Sequence, residues 1–424
     1  MEKTMNNKER ILVIMDTYYP DSRATTFIMQ QILERLSEKY DIHVFALDLS
    51  KRVELDKRVI SHNGVVIEYA RPISNRYSIA RRVNAKLINC LYFRKYKTHY
   101  YYDKLLKSAR DIIQTIKKQN INKVLSVSSP HDIHICCEMV VQRVHGLIWF
   151  PVCFDPHAFN CSYSEELRKR FYREESILYR KAQNIFMLPQ SVADYQNCHF
   201  RNKIKIFELP MMVDKVGHIS AEMENTLQQS RLISFMYTGN FYRNVRNPDK
   251  MLGFFDALKD VDFRLMLVGS FSGWGDDLKN YLNHWKYRLG EKIVMIDRVS
   301  RIEMERYLQG ADFLVSIGNT TYNQCPSKVL EYISTGKPII HFQKINKCSA
   351  LPYLLKYPNA CVLKEDDDIE TNKCKIKKFI EEHRGVTVNA DTIMELYSNN
   401  LYPHVSEIFL TALENSNLRK SVNR

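Results

Sequence analysis

The chain has 424 residues, enough for two domains with separate cores, and its 45% hydrophobic and 26% charged content is that of an ordinary globular protein. Ten cysteines without one Cys-X-X-Cys pair argue against a zinc ribbon and read as reduced, buried thiols; no apolar run approaches the roughly 20 residues of a membrane span, so a cytoplasmic chain is expected. The formal charge of +14 points to an anionic substrate or surface.

ILVIM (11–15) reads as a first buried strand, too short for a signal-sequence core. The loop after it reads DSRATT; Gly-X-Gly-X-X-Gly is absent from this turn, which argues against NAD or FAD. TTFIMQQILERLSEKY then places Phe27, Ile28, Ile32, Leu33 and Leu36 at helical spacing, and IHVFAL and VVIEYA are the next strands.

Residues 71–120 carry thirteen Lys or Arg against two Asp, a net charge of +11. Ile79, Val83, Leu87, Leu91 and Phe93 recur between the cations at helical intervals. That pattern suits an interfacial helix against anionic headgroups, the preferred reading; a solvated basic face and single-stranded nucleic acid are the competing ones, and nucleic acid is not taken as a partner.

KVLSVSSPHDIHICCEMV is a strand, a turn at Ser129–Pro130 and a helix whose start holds His131, Asp132 and His134. LIWFPVCFDPHAF is a further strand ending in an Asp155–Pro156 turn, where the Asp also serves as a common turn starter. A helix over 164–182 and the strand NIFML follow, and after IKIFELP the pattern loosens into a linker over 212–229. The α/β rhythm restarts with ISFMYTG, a helix after Asn247–Pro248, and the strands FRLMLVG, KIVMID and ADFLVSIG; Ser300 and Glu303 are spaced as a capping box. The expected domains are 1–212 and 230–396, with a helical tail over 397–424.

The most informative stretch is NQCPSKVLEYISTGKPII (323–340). Ser327 is expected to cap a helix that Gly336 stops and Pro338 prevents from resuming. The amides of Ser327, Lys328 and Val329 would then face a phosphate, with Glu331 one turn on, in reach of a ribose diol. The acidic run EDDDIE (365–370) is read as helix capping, so neither a metal nor a bound cofactor is expected.

SKVLEYISTGKPII resembles the donor-binding segment of GT-B-fold glycosyltransferases, in particular the large retaining family four (glycosyltransferase group 1). The resemblance implies an α/β fold of two Rossmann-like domains facing across a cleft. The first domain would bind the acceptor, the second the nucleotide-sugar, and the C-terminal helix would cross back to the first. It assigns the ribose to Glu331, and the diphosphate to the amides of Ser327, Lys328 and Val329, with Gln324 beside them. Arg246, with Arg243, would supply cations after the Gly239 turn, and Val299 lies in the loop that would carry the nucleotide base. The turns at Ser129 and Asp155 resemble the family's SSPP and RDPW segments. They place His131 and Asp132, with Asn323, at the transferred sugar, and Arg23, Thr25, Ser129 and Asp155 on the acceptor side. Two departures stand out: Asn323 occupies the position of a second Glu, and Asn240 that of an Arg. The activity that the resemblance implies is metal-independent, retaining transfer of a sugar from a nucleotide-diphosphate sugar to a lipid-linked or oligosaccharide acceptor. This would serve surface polysaccharide synthesis, with the protein peripheral on the inner face of the cell membrane. A non-catalytic binding protein on a degenerate GT-B scaffold and a nucleotide-sugar epimerase are the alternatives.

Overall fold

The computed structural model describes residues 8–21, 23–49, 53, 58–70, 86–91, 102–128, 130–161, 163–211, 232–258, 260–270 and 276–422. The chain divides into two compact units, Met1–Pro210 with Asn399–Arg424, and Met211–Ser398. The tail is thus part of the first unit, and the expected linker at 212–229 lies outside the described residues.

The first unit holds eight strands: β1 (Glu9–Met15), β2 (Tyr40–Ala46), β3 (Val59–His62), β4 (Val65–Tyr69), β5 (Lys123–Val127), β6 (Ile148–Cys153), β7 (Ile185–Met187) and β8 (Ile204–Ile206). They lie in the order β3-β4-β2-β1-β5-β6-β7-β8, and the β3–β4 pair is antiparallel where its neighbours are parallel. The central strand β1 is flanked on both sides, Val13 pairing with Val44 and with Leu125. That position explains why Ile11 to Ile14 are apolar without alternation: both faces of a central parallel strand are covered. Strand β3 escapes the sequence pattern because it is a short edge strand with no buried residue. Its two-residue turn is Asn63–Gly64, both at positive φ, the conformation that a tight hairpin requires.

The helix Tyr102–Gln119 buries Leu105, Leu106, Ala109, Ile112 and Ile116 and leaves Lys107, Arg110, Lys117 and Lys118 exposed. The apolar face of this part of the basic window therefore belongs to the core, against the helix Asp132–Val141, and not to a lipid surface. Residues 86–91 are helical and leave Leu87 and Leu91 exposed. Residues 71–85 and 92–101, with Ile79, Val83 and Phe93, lie outside the described residues. The C-terminal helix Tyr402–Val422 packs on this unit by stacking Phe409 on Phe186 at 4.1 Å and edge-on to Phe207 at 5.4 Å. Each such buried aromatic pair adds about 0.5–1.5 kcal/mol beyond its area.

The second unit is a six-stranded parallel sheet: β9 (Ile233–Thr238), β10 (Phe263–Val268), β11 (Ile293–Ile296), β12 (Phe313–Ile317), β13 (Ile339–Gln343) and β14 (Ala360–Lys364). Their order is β11-β10-β9-β12-β13-β14. Both sheets reverse direction of winding once, the first between β1 and β5 and the second between β9 and β12. In open α/β sheets the carboxyl ends of the strands at such a switch point form the ligand crevice. Ser300 accepts from the Glu303 amide and the Glu303 carboxylate accepts from the Ser300 amide, completing the expected capping box of the helix Arg301–Gly310. Asp368 caps the helix Ile369–His383 through the Thr371 amide at 2.9 Å, and Glu365 pairs with Lys344 at 2.8 Å, so these members of the acidic run have structural partners. Among the described residues no helix is long and apolar enough to cross a membrane.

Candidate functional site

In the first unit the switch point between β1 and β5 opens into a pocket of about 240 Å³. Asp16, Thr17, Arg23, Thr25, Val127 and Asp155 are among its lining residues. Three expected acceptor-side residues, Arg23, Thr25 and Asp155, are thus brought together, although β5 and its neighbours separate them in the chain; Ser129 lies outside the described residues. Arg23 is not an unengaged cation. Its guanidinium pairs with Asp16 at 3.1 Å and Asp21 at 2.6 Å, and it also bonds the Thr17 hydroxyl. Burial pushes the Asp21 carboxyl up, but its bonds from Thr17 and Arg23 outweigh that and hold it below the ordinary value. Asp16 in turn accepts the Leu49 amide at 2.8 Å, which fixes the loop to the end of β2. The glycine-free loop is therefore ordered by an ion-pair network together with a backbone turn, in which the Asp21 amide donates to the Tyr18 carbonyl at 2.8 Å.

His131 and Asp132 stand at the head of the helix Asp132–Val141, directly after the β5 loop. The His131 imidazole is buried; its Nε2 lies 3.1 Å from Glu174 Oε1, and it stacks at 3.9 Å on His157. It is not among the residues lining the Asp16 pocket. Burial pushes the pKa of His131 down to about 3, leaving a neutral ring, and lowers that of His157 as well. Burial acts oppositely on the half-buried Asp132 carboxyl, raising it to about 6, with the charges of Glu174 and Asp16 adding to the rise. Among the described residues His131, His157 and Glu174 form a group whose ligand atoms lie within 4.8 Å of one another and could hold a metal ion. The two rings are nearly parallel, at 10°, so their lone pairs run side by side instead of converging as tetrahedral coordination requires. The sequence reading did not find His157 or Glu174 as companions of His131; no local spacing connects them.

In the second unit, Gly239 ends β9 at φ +121° and donates its amide to Val268 at 2.9 Å. A Cβ on Gly269, at the neighbouring strand end, would lie 2.3 Å from the Gly239 carbonyl oxygen, so only glycine fits there. Asn240, which departs from the Arg implied by the family resemblance, accepts the Ser270 amide on its side-chain oxygen at 3.1 Å, which ties these same two strand ends together. Arg246 donates from Nε to Asn319 Oδ1 at 3.0 Å, and Asn319 donates from Nδ2 to the Gln324 carbonyl at 2.9 Å. Ser349 donates to that carbonyl at 2.7 Å, and the Gln324 side chain accepts from Thr321 at 3.1 Å. This chain of bonds spans the switch point from the β9 loop to the segment 323–340. Arg243 is turned outward, exposed and paired with Asp277 at 3.3 Å. Val299 follows β11, the edge strand, and β10 separates that strand from β9.

The helix Lys328–Ile333 is shorter than expected, and two expectations for its start fail. Ser327 has helical dihedrals, φ −56° and ψ −27°, and makes no side-chain cap, because capping needs an extended residue. The Val329 amide donates to the Pro326 carbonyl at 3.1 Å and is not open to a phosphate. The amides of Ser327 and Lys328 have no backbone partner among the described residues. Glu331 is buried and pairs with Lys328 at 2.6 Å, and Asn323 is buried as well. Tyr332 holds the helix against the sheet: its hydroxyl accepts the Thr238 amide at 2.7 Å, one residue before Gly239. Gly336, at φ +75°, ends the segment as expected. Asn319 and Tyr332 are the two positioning residues the sequence reading missed; the one available signal was the place of Asn319 just beyond the switch-point strand.

Residues 233–379 match the family described as glycosyl transferases group 1. No curated protein sequence matches the chain. Similar solved structures include sucrose-phosphate synthase from Thermosynechococcus elongatus, 12% identical with a TM-score of 0.64, covering 98% of this chain and 99% of that one. A glycosyltransferase from Rickettsia africae is 13% identical over 99% of each chain, with a TM-score of 0.61. HepE from Anabaena, in complex with UDP and glucose, is 11% identical with a TM-score of 0.64, covering 96% of this chain and 100% of that one. The chain thus has the GT-B fold, and its residues 233–379 match the group 1 glycosyl transferases.

Proposed function

We propose that this protein is a glycosyltransferase that moves a sugar from a nucleotide-diphosphate sugar to a glycan acceptor. The observation that carries the reading is the bonded path from Arg246 through Asn319 to Gln324, at the switch point of the sheet matched by the group 1 glycosyl transferases. It holds a guanidinium beside the segment that carries Lys328 and Glu331. Arg246 offers a planar fork for diphosphate oxygens, Lys328 a second cation, and Glu331 acceptor oxygens for a ribose diol. Charge developing on the leaving diphosphate is then offset by side chains and by the amides of Ser327 and Lys328, so no metal is required; retention of configuration is what the resemblance to the family implies. The complexes of HepE with UDP and with UDP-glucose support a nucleotide-sugar donor.

The first unit takes the acceptor in this reading, at the Asp16 pocket, whose own lining carries the carboxyls of Asp16 and Asp155, with Asp132 as a further titratable group outside that lining. The basic window over 71–120 and the exposed Leu87 and Leu91 support an acceptor presented at an anionic membrane surface, lipid-linked and destined for a surface polysaccharide. The test is hydrolysis and transfer from a panel of UDP-, GDP- and ADP-sugars with chelator present. Turnover of one donor in chelator supports the reading, and turnover only with added magnesium or manganese removes the metal-independent form of it.

A second reading, nucleotide binding without turnover, is favoured by Asn240, whose side chain is committed to the Ser270 amide. Nucleotide binding with no hydrolysis or transfer across the panel is its signature.

A further inference from the structure

A second pocket of the first unit, about 280 Å³, lies on the other side of the Asp21–Arg23 ion pair from the Asp16 pocket. Tyr19, Asp21, Gln30, Gln31, His62 and Asn63 are among its lining residues, and it shares none with the Asp16 pocket. Asp21 lines one and Arg23 the other, with 2.6 Å between their charged groups.

The chemistry of this pocket is unlike that of a phosphate or nucleotide site. Among the described residues its lining holds no Lys or Arg, and the one carboxylate there, Asp21, is paired with Arg23. What it offers is an aromatic wall and amides. Tyr19 and His62 stack at 3.7 Å with 11° between their planes, and Tyr19 remains 41% exposed. Gln30, Gln31 and Asn63 each present a carbonyl oxygen and an NH₂ group, which together match a vicinal diol as donor and acceptor. The Gln30 Nε2 is buried with no hydrogen-bond partner. That nitrogen is closed to solvent, so it donates to a ligand hydroxyl only once the Gln30 side chain rotates into the pocket that it lines. Asn63 is set by the tight β3–β4 turn, at φ +46°, so the amide on that side is carried by a constrained hairpin.

We propose that this pocket is a binding subsite for a neutral sugar ring of the acceptor glycan. The ring's apolar face packs on the Tyr19–His62 wall, and its hydroxyls bond to Gln30, Gln31 and Asn63. The assignment of that sugar to an acceptor rests on the transferase reading above; the sugar site itself does not. Its position next to the Asp16 pocket makes it the place for a residue of the glycan beyond the one that receives the new sugar.

The experiment is saturation-transfer NMR on the full chain, with a mixture of the methyl α- and β-glycosides of glucose, galactose, mannose and N-acetylglucosamine. At least one glycoside should receive saturation at its ring protons. That signal should fall about threefold to tenfold in Tyr19→Ala and in Gln30→Leu, the range expected for losing one aromatic contact or one hydrogen bond. UDP affinity, measured in parallel by calorimetry, should not change in either variant. Gln31→Leu gives the same readout should Gln30→Leu lower the melting temperature. Absence of any signal from the wild type, or signal that persists undiminished in the variants, overturns the sugar site. Glycoside binding as expected together with no UDP, GDP or ADP binding leaves the subsite standing and removes the transferase reading.

Discussion

Arg246 reaches Asn319 across 3.0 Å, and this bond joins the loop after β9 to the loop after β12. Those are the two strands at which the second sheet changes direction. The guanidinium donates this bond from Nε, which helps to orient the planar group. Replacing Arg246 with Lys keeps a charge but loses the fork. We expect Arg246→Lys to weaken UDP or other donor-nucleotide binding by about 1.5–3 kcal/mol, the range for a charged hydrogen bond. Isothermal calorimetry on the folded variant checks this, and unchanged affinity would place Arg246 outside the site.

Glu331 is expected to accept hydrogen bonds from the ribose. Its carboxylate is buried and already paired with Lys328, so the group is held in place before a nucleotide arrives. Glu331→Ala should cost about 1.5–3 kcal/mol of nucleotide affinity. A nucleotide that binds the folded variant as tightly as the wild type contradicts the assignment.

A pH dependence of stability should trace to His341. This residue is fully buried on β13, with Nδ1 3.1 Å from Ser316 Oγ and Nε2 3.4 Å from Cys348 Sγ. Burial, and then the charge of Arg246, push its pKa down from 6.5 to about 3. Between those two values the unfolded chain binds the proton and the folded chain does not. Its contribution is therefore fully present above 6.5 and is lost progressively as pH falls towards 3, at about 1.4 kcal/mol per unit. Urea midpoints across this window should fall less steeply for His341→Gln than for the wild type, and parallel slopes would count against the account.

Gly269 should not tolerate a side chain. The 2.3 Å approach of its would-be Cβ to the Gly239 carbonyl is to backbone, which cannot swing away as a side chain can. Gly269→Ala should destabilise the protein by about 1–3 kcal/mol, the cost of overpacking. It should also displace the Gly239 turn and so weaken nucleotide binding. A melting temperature equal to that of the wild type would show that the two strand ends can separate at no cost.

Attachment to anionic lipid is the expectation for the basic window. Each Lys or Arg near such a surface contributes about 1 kcal/mol, so a few engaged residues give salt-sensitive binding. The protein should float with vesicles containing anionic lipid, release in high salt and ignore neutral vesicles. Replacing Arg81, Arg82, Arg94 and Lys95, which lie outside the described residues, with Ser should reduce flotation and leave nucleotide affinity intact. Failure of the wild type to float would make a soluble acceptor the better reading.

What the sequence determined by itself is the part written in local pattern. The unbroken apolar run Ile11 to Ile14 marks a strand covered on both faces, the Ser300–Glu303 spacing closes its own capping box, and Gly336 readily takes the positive φ that ends its segment. Each of these depends on residues within a few positions of one another, where chain geometry leaves little choice. Tertiary structure decided the rest. Ser327 looks like a cap, yet the Pro326–Val329 turn draws it into helical dihedrals and closes the Val329 amide. Arg23 looks like an available cation, yet Asp16 and Asp21 surround it. His131 meets Glu174 and His157, and Arg246 meets Asn319, only because the fold places distant segments side by side. Side-chain partners at strand ends are set by which strands are neighbours, and that is a property of the folded sheet, not of any stretch of chain.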